Sequence, residues 1–114
     1  MNPQEFVDVI AETVLASSVR GMKKRLEQPA GRNPAKETVK LSTWYNNLNP
    51  TDKEMVLEVI AKSARDTTFG FLCVLDGVTA IEHEDKGTLK LYYERRNEKV
   101  LLNDQHKVNL HELL

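Results

Sequence analysis

Three Asn-Pro pairs divide the N-terminal part of the chain into segments that are predicted to be helical. The pairs are Asn2-Pro3, Asn33-Pro34 and Asn49-Pro50. Asparagine is a favourable N-cap because its side-chain oxygen accepts a hydrogen bond from an N–H of the first turn. Proline suits the next position, where its missing N–H would have no helical partner. Apolar residues at helical spacing follow each pair, so the sequence predicts three helices before residue 67.

The predicted helices cover about 3–28, 34–47 and 50–66, and a polar loop at 28–33 separates the first two. Glu5 completes a capping box with Asn2 at the start of the first helix. The apolar stripe of this helix consists of Phe6, Val7, Ile10, Val14, Leu15, Val19, Met22 and Leu26. We interpret a second stripe as part of the core, and its members are Leu41, Trp44, Tyr45 and Leu48.

The chain after residue 66 has short runs of β-branched and aromatic residues. Thr67–Leu75 is apolar on both faces, which favours a central strand or a strand at a dimer interface. Asp76-Gly77 is typical of a type I′ hairpin turn. Further strands are predicted, separated by polar turns at 83–87 and 95–98, and their ranges are 78–82, 88–94 and 99–102. An apolar tail follows at 110–114.

These elements predict one α+β domain over residues 1–114. Its three N-terminal helices are followed by a four-stranded antiparallel meander and a short C-terminal helical tail. The single cysteine excludes an internal disulfide, and no apolar run approaches the roughly 18 residues of a membrane span. The N-terminus carries acidic residues in place of the basic region of a signal peptide. We therefore expect a cytoplasmic protein that does not bind membranes.

Several stretches resemble a family of small uncharacterised bacterial proteins. They are Gln28-Pro29-Ala30-Gly31-Arg32, Leu41-Ser42-Thr43-Trp44-Tyr45, the run 69–78, Leu101-Leu102-Asn103-Asp104 and Leu110-His111. Together they span most of the chain. The resemblance implies a bacterial, single-domain protein, and it implies no activity, cofactor or site residue.

The most uneven charge distribution lies between Arg20 and Lys40. This stretch has a net charge of +5, whereas the rest of the chain sums to −6 and the whole to −1. A helix N-terminus beside Arg32 could bind an anion or an acidic partner. Alternatively, these cations only compensate the dipole at a solvated helix end. The candidate residues for binding a ligand or partner are Arg20, Lys24, Arg32, Lys36, Lys40 and Trp44.

Catalytic and metal-binding motifs are absent from the sequence. It contains no HExxH, CxxC, EF-hand, phosphate-binding or Gly-x-Ser-x-Gly pattern, so we predict no metal, no cofactor and no catalytic residue. Asp76 is interpreted as a turn residue and Cys73 as a buried, unreactive thiol. A small enzyme whose site converges from Asp76, His83 and Asn103 stays open as an alternative.

The favoured function is a non-catalytic protein–protein interaction protein, such as an adaptor or a neutralising partner of another bacterial protein. One alternative is a module that binds nucleic acid or a phosphate ligand through residues 20–40, although the net charge makes nucleic acid an unfavourable partner. The other alternative is the small enzyme. The apolar run at 67–75 and the long first helix also predict a homodimer.

Overall fold

The computed structural model describes residues 1–84 and 87–114. Its helical elements are α1 (Pro3–Ile10), a π-helical segment (Ala11–Ala16), α2 (Ser17–Glu27), α3 (Lys36–Asn46), α4 (Pro50–Leu75) and a 3-10 helix (Leu110–Leu113). Its strands are β1 (Tyr92–Arg95) and β2 (Glu98–Leu101). The first three elements form one continuous helix, which we call the N-terminal helix. Part of the predicted polar turn at 83–87 lies outside the described residues.

Two of the three Asn-Pro pairs begin helices. The side chain of Asn2 accepts from the backbone N–H of Glu5 at 2.8 Å, and Glu5 accepts in return from the N–H of Asn2. The side chain of Asn49 likewise accepts from the N–H of Asp52 at 2.8 Å. The third pair lies before its helix, because Ala35 keeps an extended ψ of 142° and α3 starts only at Lys36.

The predicted four-stranded meander is wrong. The described residues contain a single two-stranded antiparallel sheet, a hairpin that pairs Tyr92 with Leu101 and Arg95 with Glu98. The segment 67–75, predicted as a central strand, is the last part of α4. The segment 78–82 forms no strand. The molecule is therefore mainly helical, with three long helical stretches and one small hairpin.

Residues 67–75 are helical because they continue α4, which Asn49 caps, and no proline interrupts the helix after Pro50. Adding a residue to a formed helix gains one backbone hydrogen bond, whereas starting a helix is costly. Threonine, valine and phenylalanine lower helix stability by only about 0.5 kcal/mol each. The hydroxyl of Thr68 donates to the carbonyl of Ala64 at 2.8 Å, so this side chain is accommodated within the helix. An apolar run on both faces cannot by itself distinguish a strand from a helix.

The Asp76-Gly77 pair ends α4, so the predicted type I′ hairpin is also wrong. Asp76 keeps a helical φ of −80°, and Gly77 has a left-handed φ of 74°. The N–H of Val78 donates to the carbonyl of Cys73 at 3.0 Å, and the N–H of Gly77 donates to that of Val74 at 3.1 Å. These two bonds and the left-handed glycine define a Schellman motif.

We expect Gly77→Ala to lower the free energy of unfolding by about 1–2 kcal/mol, because a Cβ is unfavourable at this positive φ. The new Cβ would also lie 2.6 Å from Nε2 of Gln105. Denaturant unfolding measures the loss. The double variant Gly77→Ala/Gln105→Ala should recover only the part of the lost stability that comes from this contact. Gly87→Ala is the control, since its Cβ would meet nothing within 4 Å. An unchanged stability in Gly77→Ala would contradict the Schellman assignment.

The core lies at the end of α4, where three chain segments meet. Val7, Leu72 and Leu110 are almost completely buried and contact one another. The partly buried side chains around them are Phe6, Leu75, Leu113 and Leu114. Arg65 adds a hydrogen bond from its Nη2 to the backbone oxygen of Leu114 at 3.0 Å. The 3-10 helix is thus held between the first turns of the N-terminal helix and the last turns of α4.

Candidate functional site

A buried carboxylate lies where the 3-10 helix meets α4. Asp76 accepts three hydrogen bonds, from the N–H of Leu110 at 2.9 Å, the N–H of His111 at 2.9 Å and Nδ1 of His111 at 2.7 Å. Its side chain is fully buried, and Phe69 contacts the His111 ring edge-on at 5.4 Å between centroids. Both oxygens of Asp76 are therefore used to hold the 3-10 helix in place.

Asn103 has a similar role on the other side of the same helix end. Its Nδ2 donates to the carbonyls of Leu75 at 2.6 Å and Leu89 at 2.9 Å. Its Oδ1 accepts from the N–H of Leu91 at 2.8 Å. The side chain, in a residue that is only 3% exposed, joins the end of α4 to the segment that enters β1. Asn103 thus provides hydrogen-bond partners for the last carbonyl of α4 and for the backbone of the irregular segment before β1.

The structure brings Asp76 and Asn103 to one end of α4 but places His83 on an exposed bend. An open groove of about 400 Å³ lies near this end, and Glu82 is the only ionisable residue among its described lining residues. The sequence did not indicate His111 as the partner of Asp76. No local pattern could have done so, because 35 residues separate them.

The second region of interest is the outer face of α3. The residues that this helix buries are Ser42 and Tyr45, whereas Leu41 is 48% and Trp44 52% exposed. The interpretation of Leu41 and Trp44 as core residues is therefore wrong. The rotation of α3 follows from hydrogen bonding: the hydroxyl of Ser42 donates to the carbonyl of Leu26 at 2.8 Å at the end of α2. Asn46 donates to the same carbonyl and to that of Glu27.

Lys36, Lys40 and Trp44 are spaced by four residues, so they lie along one side of α3. We call this row the α3 face. All three residues are exposed. Two other cations of the basic segment have partners, since Arg20 pairs with Glu12 at 3.0 Å and Lys23 with Glu27 at 3.7 Å. Across residues 1–84 and 87–114, no ion pair includes the other four cations that the sequence singled out, which are Lys24, Arg32, Lys36 and Lys40.

No protein-family model matches the chain, and no curated protein or solved structure is significantly similar to it. The function therefore has to be inferred from the side chains. Within the described ranges, no group of three or more His, Cys, Asp or Glu residues could hold a metal ion. The helices seen there are also too short or too polar to cross a bilayer.

Proposed function

We propose that the protein is a non-catalytic protein–protein interaction protein that binds an acidic partner through the α3 face. The exposure of Trp44 beside Lys40 carries this proposal. A half-exposed tryptophan leaves a large apolar area in water, and tryptophan is among the residues that contribute most to binding when a partner covers it. Lysines on the same side of the helix complement a partner with carboxylates around an apolar anchor.

The candidate catalytic residues support this choice over an enzyme. Asp76 and Asn103 use their polar atoms to hold backbone groups, as described above. The polar atoms of these side chains already have hydrogen-bond partners, and they would have to break these hydrogen bonds to bind a substrate. The α3 face, in contrast, has side chains that contribute little to the fold.

Trp44 is the only tryptophan of the chain, so its fluorescence tests the proposal directly. We expect the free protein to show the red-shifted emission of a solvated indole. The immobilised protein should retain an acidic protein from a bacterial lysate, released by salt and identified by mass spectrometry. The purified partner should then shift the Trp44 emission to the blue.

When the variant Trp44→Ala/Lys40→Glu is immobilised as the bait, it should no longer retain this partner. Lys107→Glu is the matched control, because Lys107 is an exposed lysine outside the α3 face and its replacement makes the same charge change. The proposal is wrong if both baits retain the same proteins as the unmodified protein, or if the partner leaves the Trp44 emission unchanged.

We expect no measurable binding of generic DNA at 150 mM salt, because the acidic residues of the chain outnumber its cations and give it a net charge of −1. Fluorescence anisotropy with a labelled duplex measures this. Tight binding that is lost in Arg32→Ala/Lys36→Ala would instead support a nucleic-acid module.

We also propose a reducing, cytoplasmic location. Cys73 is free and buried in α4, which suits a compartment where thiols stay reduced. Alkylation of Cys73 in denatured protein from freshly lysed cells, followed by mass measurement, tests this. A thiol found blocked in a mixed disulfide would contradict it.

A further inference from the structure

The two longest helical stretches pair with each other, but the side chains along their middle are at most half-buried. Val7, near the start of the N-terminal helix, contacts Leu72, near the end of α4. Since α2 also contacts α4, the two helices must run antiparallel. No side chain is buried between residues 8 and 25 of the first helix or between residues 50 and 71 of α4.

A pair of amphipathic helices needs another layer to bury both apolar stripes. In the N-terminal helix, Val14 belongs to the apolar stripe and is nevertheless 51% exposed. In α4, Val59 is 65% and Phe71 62% exposed. Apolar side chains along the helical pair are therefore left uncovered by the described residues of one chain.

The size of the exposed surface indicates how much is missing. The chain exposes 8673 Å², whereas a compact monomer of 13.0 kDa exposes roughly 6,300 Å². Its radius of gyration is 18.5 Å, compared with about 13 Å for a compact domain of this length. The excess of roughly 2,300 Å² per chain, or about 4,600 Å² for two chains, lies in the range of obligate homodimers.

One side of α4 has the spacing that a helix partner requires. The row at alternating intervals of four and three residues is Val56, Ile60, Ser63, Thr67, Gly70 and Val74. These intervals are those of a heptad. The apolar members Val56, Ile60 and Val74 are half-buried, and the members between Ile60 and Val74 are small. A Cβ at Gly70 would meet nothing within 4 Å, so the row is open at that point in the single chain. Val59 and Phe71 flank the row and widen its apolar surface.

We propose that a second copy of this chain covers this side of α4, so that two helical pairs form an intermolecular four-helix bundle. A two-fold arrangement places the same row on both sides of the interface, and a four-helix bundle buries the stripes that each pair leaves open. The interface uses α4 and not the α3 face, so this proposal does not depend on the acidic partner.

Multi-angle light scattering on the full chain between 1 and 100 μM tests the assembly. We expect a mass near 26 kDa, and a mass near 13 kDa or near 52 kDa would overturn the proposal. Val59→Glu and Phe71→Glu should each raise the dissociation constant at least tenfold, whereas Val39→Glu on α3 should leave it unchanged. An equal effect of all three substitutions would also overturn it.

Cross-linking of the unmodified protein locates the interface even if a variant fails to fold. Lys62 lies on α4 one turn after Val59 and is exposed. A cross-link between Lys62 of one copy and Lys62 of another can only be intermolecular, and mixed light and heavy isotope labelling identifies it by mass spectrometry. We expect this cross-link. Intermolecular cross-links confined to Lys36, Lys40 or Lys107 would exclude α4 as the interface.

Discussion

Asp76→Ala is expected to lower the free energy of unfolding by about 4 kcal/mol, the largest effect of any polar substitution proposed for this chain. The change removes the carboxyl group that holds the N–H groups of Leu110 and His111 and the His111 ring at 2.7–2.9 Å. The N–H of Leu110 would then have no partner, and it would be shielded from water because Leu110 is 0% exposed. The 3-10 helix should detach and open the core around Val7 and Leu72.

Urea unfolding at one fixed protein concentration measures this effect, because association changes the apparent stability. Asp66→Ala is the matched control, since Asp66 is an exposed carboxylate that pairs with Lys62 at 3.5 Å. Its loss should cost less than about 0.5 kcal/mol. Asp76→Asn should fall between the two, because it keeps the shape but loses the charge. Equal stabilities of Asp76→Ala and Asp66→Ala would show that the carboxylate does not hold the 3-10 helix.

Asn103→Ala is expected to cost about 3 kcal/mol, because three part-buried hydrogen bonds lose their common partner. The carbonyls of Leu75 and Leu89 and the N–H of Leu91 would all be left unsatisfied. The hairpin β1–β2 should then separate from the end of α4. Hydrogen exchange at Leu91 reports this separation directly, alongside the loss of stability in urea.

The replacement Asn103→Asp separates the role of the donor groups from that of size. It keeps an oxygen for Leu91 but places a negative charge against two carbonyls, so it should cost at least as much as alanine. Asn47→Ala is the control, because Asn47 makes one exposed hydrogen bond, to the carbonyl of Thr43 at 2.9 Å. A well-tolerated Asn103→Asp would contradict the assigned hydrogen bonds.

Local signals predicted two of the three helix starts correctly. Asn2 and Asn49 cap helices because a cap depends on atoms only three residues away, which the sequence displays directly. The segment 67–75 was predicted wrongly because its conformation depends on the helix that precedes it. Its composition suits a strand, but the helix already running through Asp66 decides its conformation, and a short apolar run does not show that continuity.

The hydrogen bonds of Asp76 and Asn103 and the rotation of α3 depend on contacts between residues that are distant in the sequence. Asp76 meets His111 across 35 residues, and Asn103 meets Leu75 across 28. On α3, Ser42 is buried because its hydroxyl reaches the carbonyl of Leu26, 16 residues earlier. The apolar spacing placed Trp44 in the core instead. The sequence therefore named the residues of the α3 face without predicting that Trp44 would be exposed.

The position of Leu110 in the core affects the order in which the chain can fold during synthesis. The N-terminal helix and α4 are complete once Leu75 has left the ribosome, but the third member of their shared core is made 35 residues later. Until then Val7 and Leu72 stay open to water and to other nascent chains. Slow translation of the intervening segment would lengthen this exposed interval, so codon usage between residues 76 and 110 should affect the yield of folded protein.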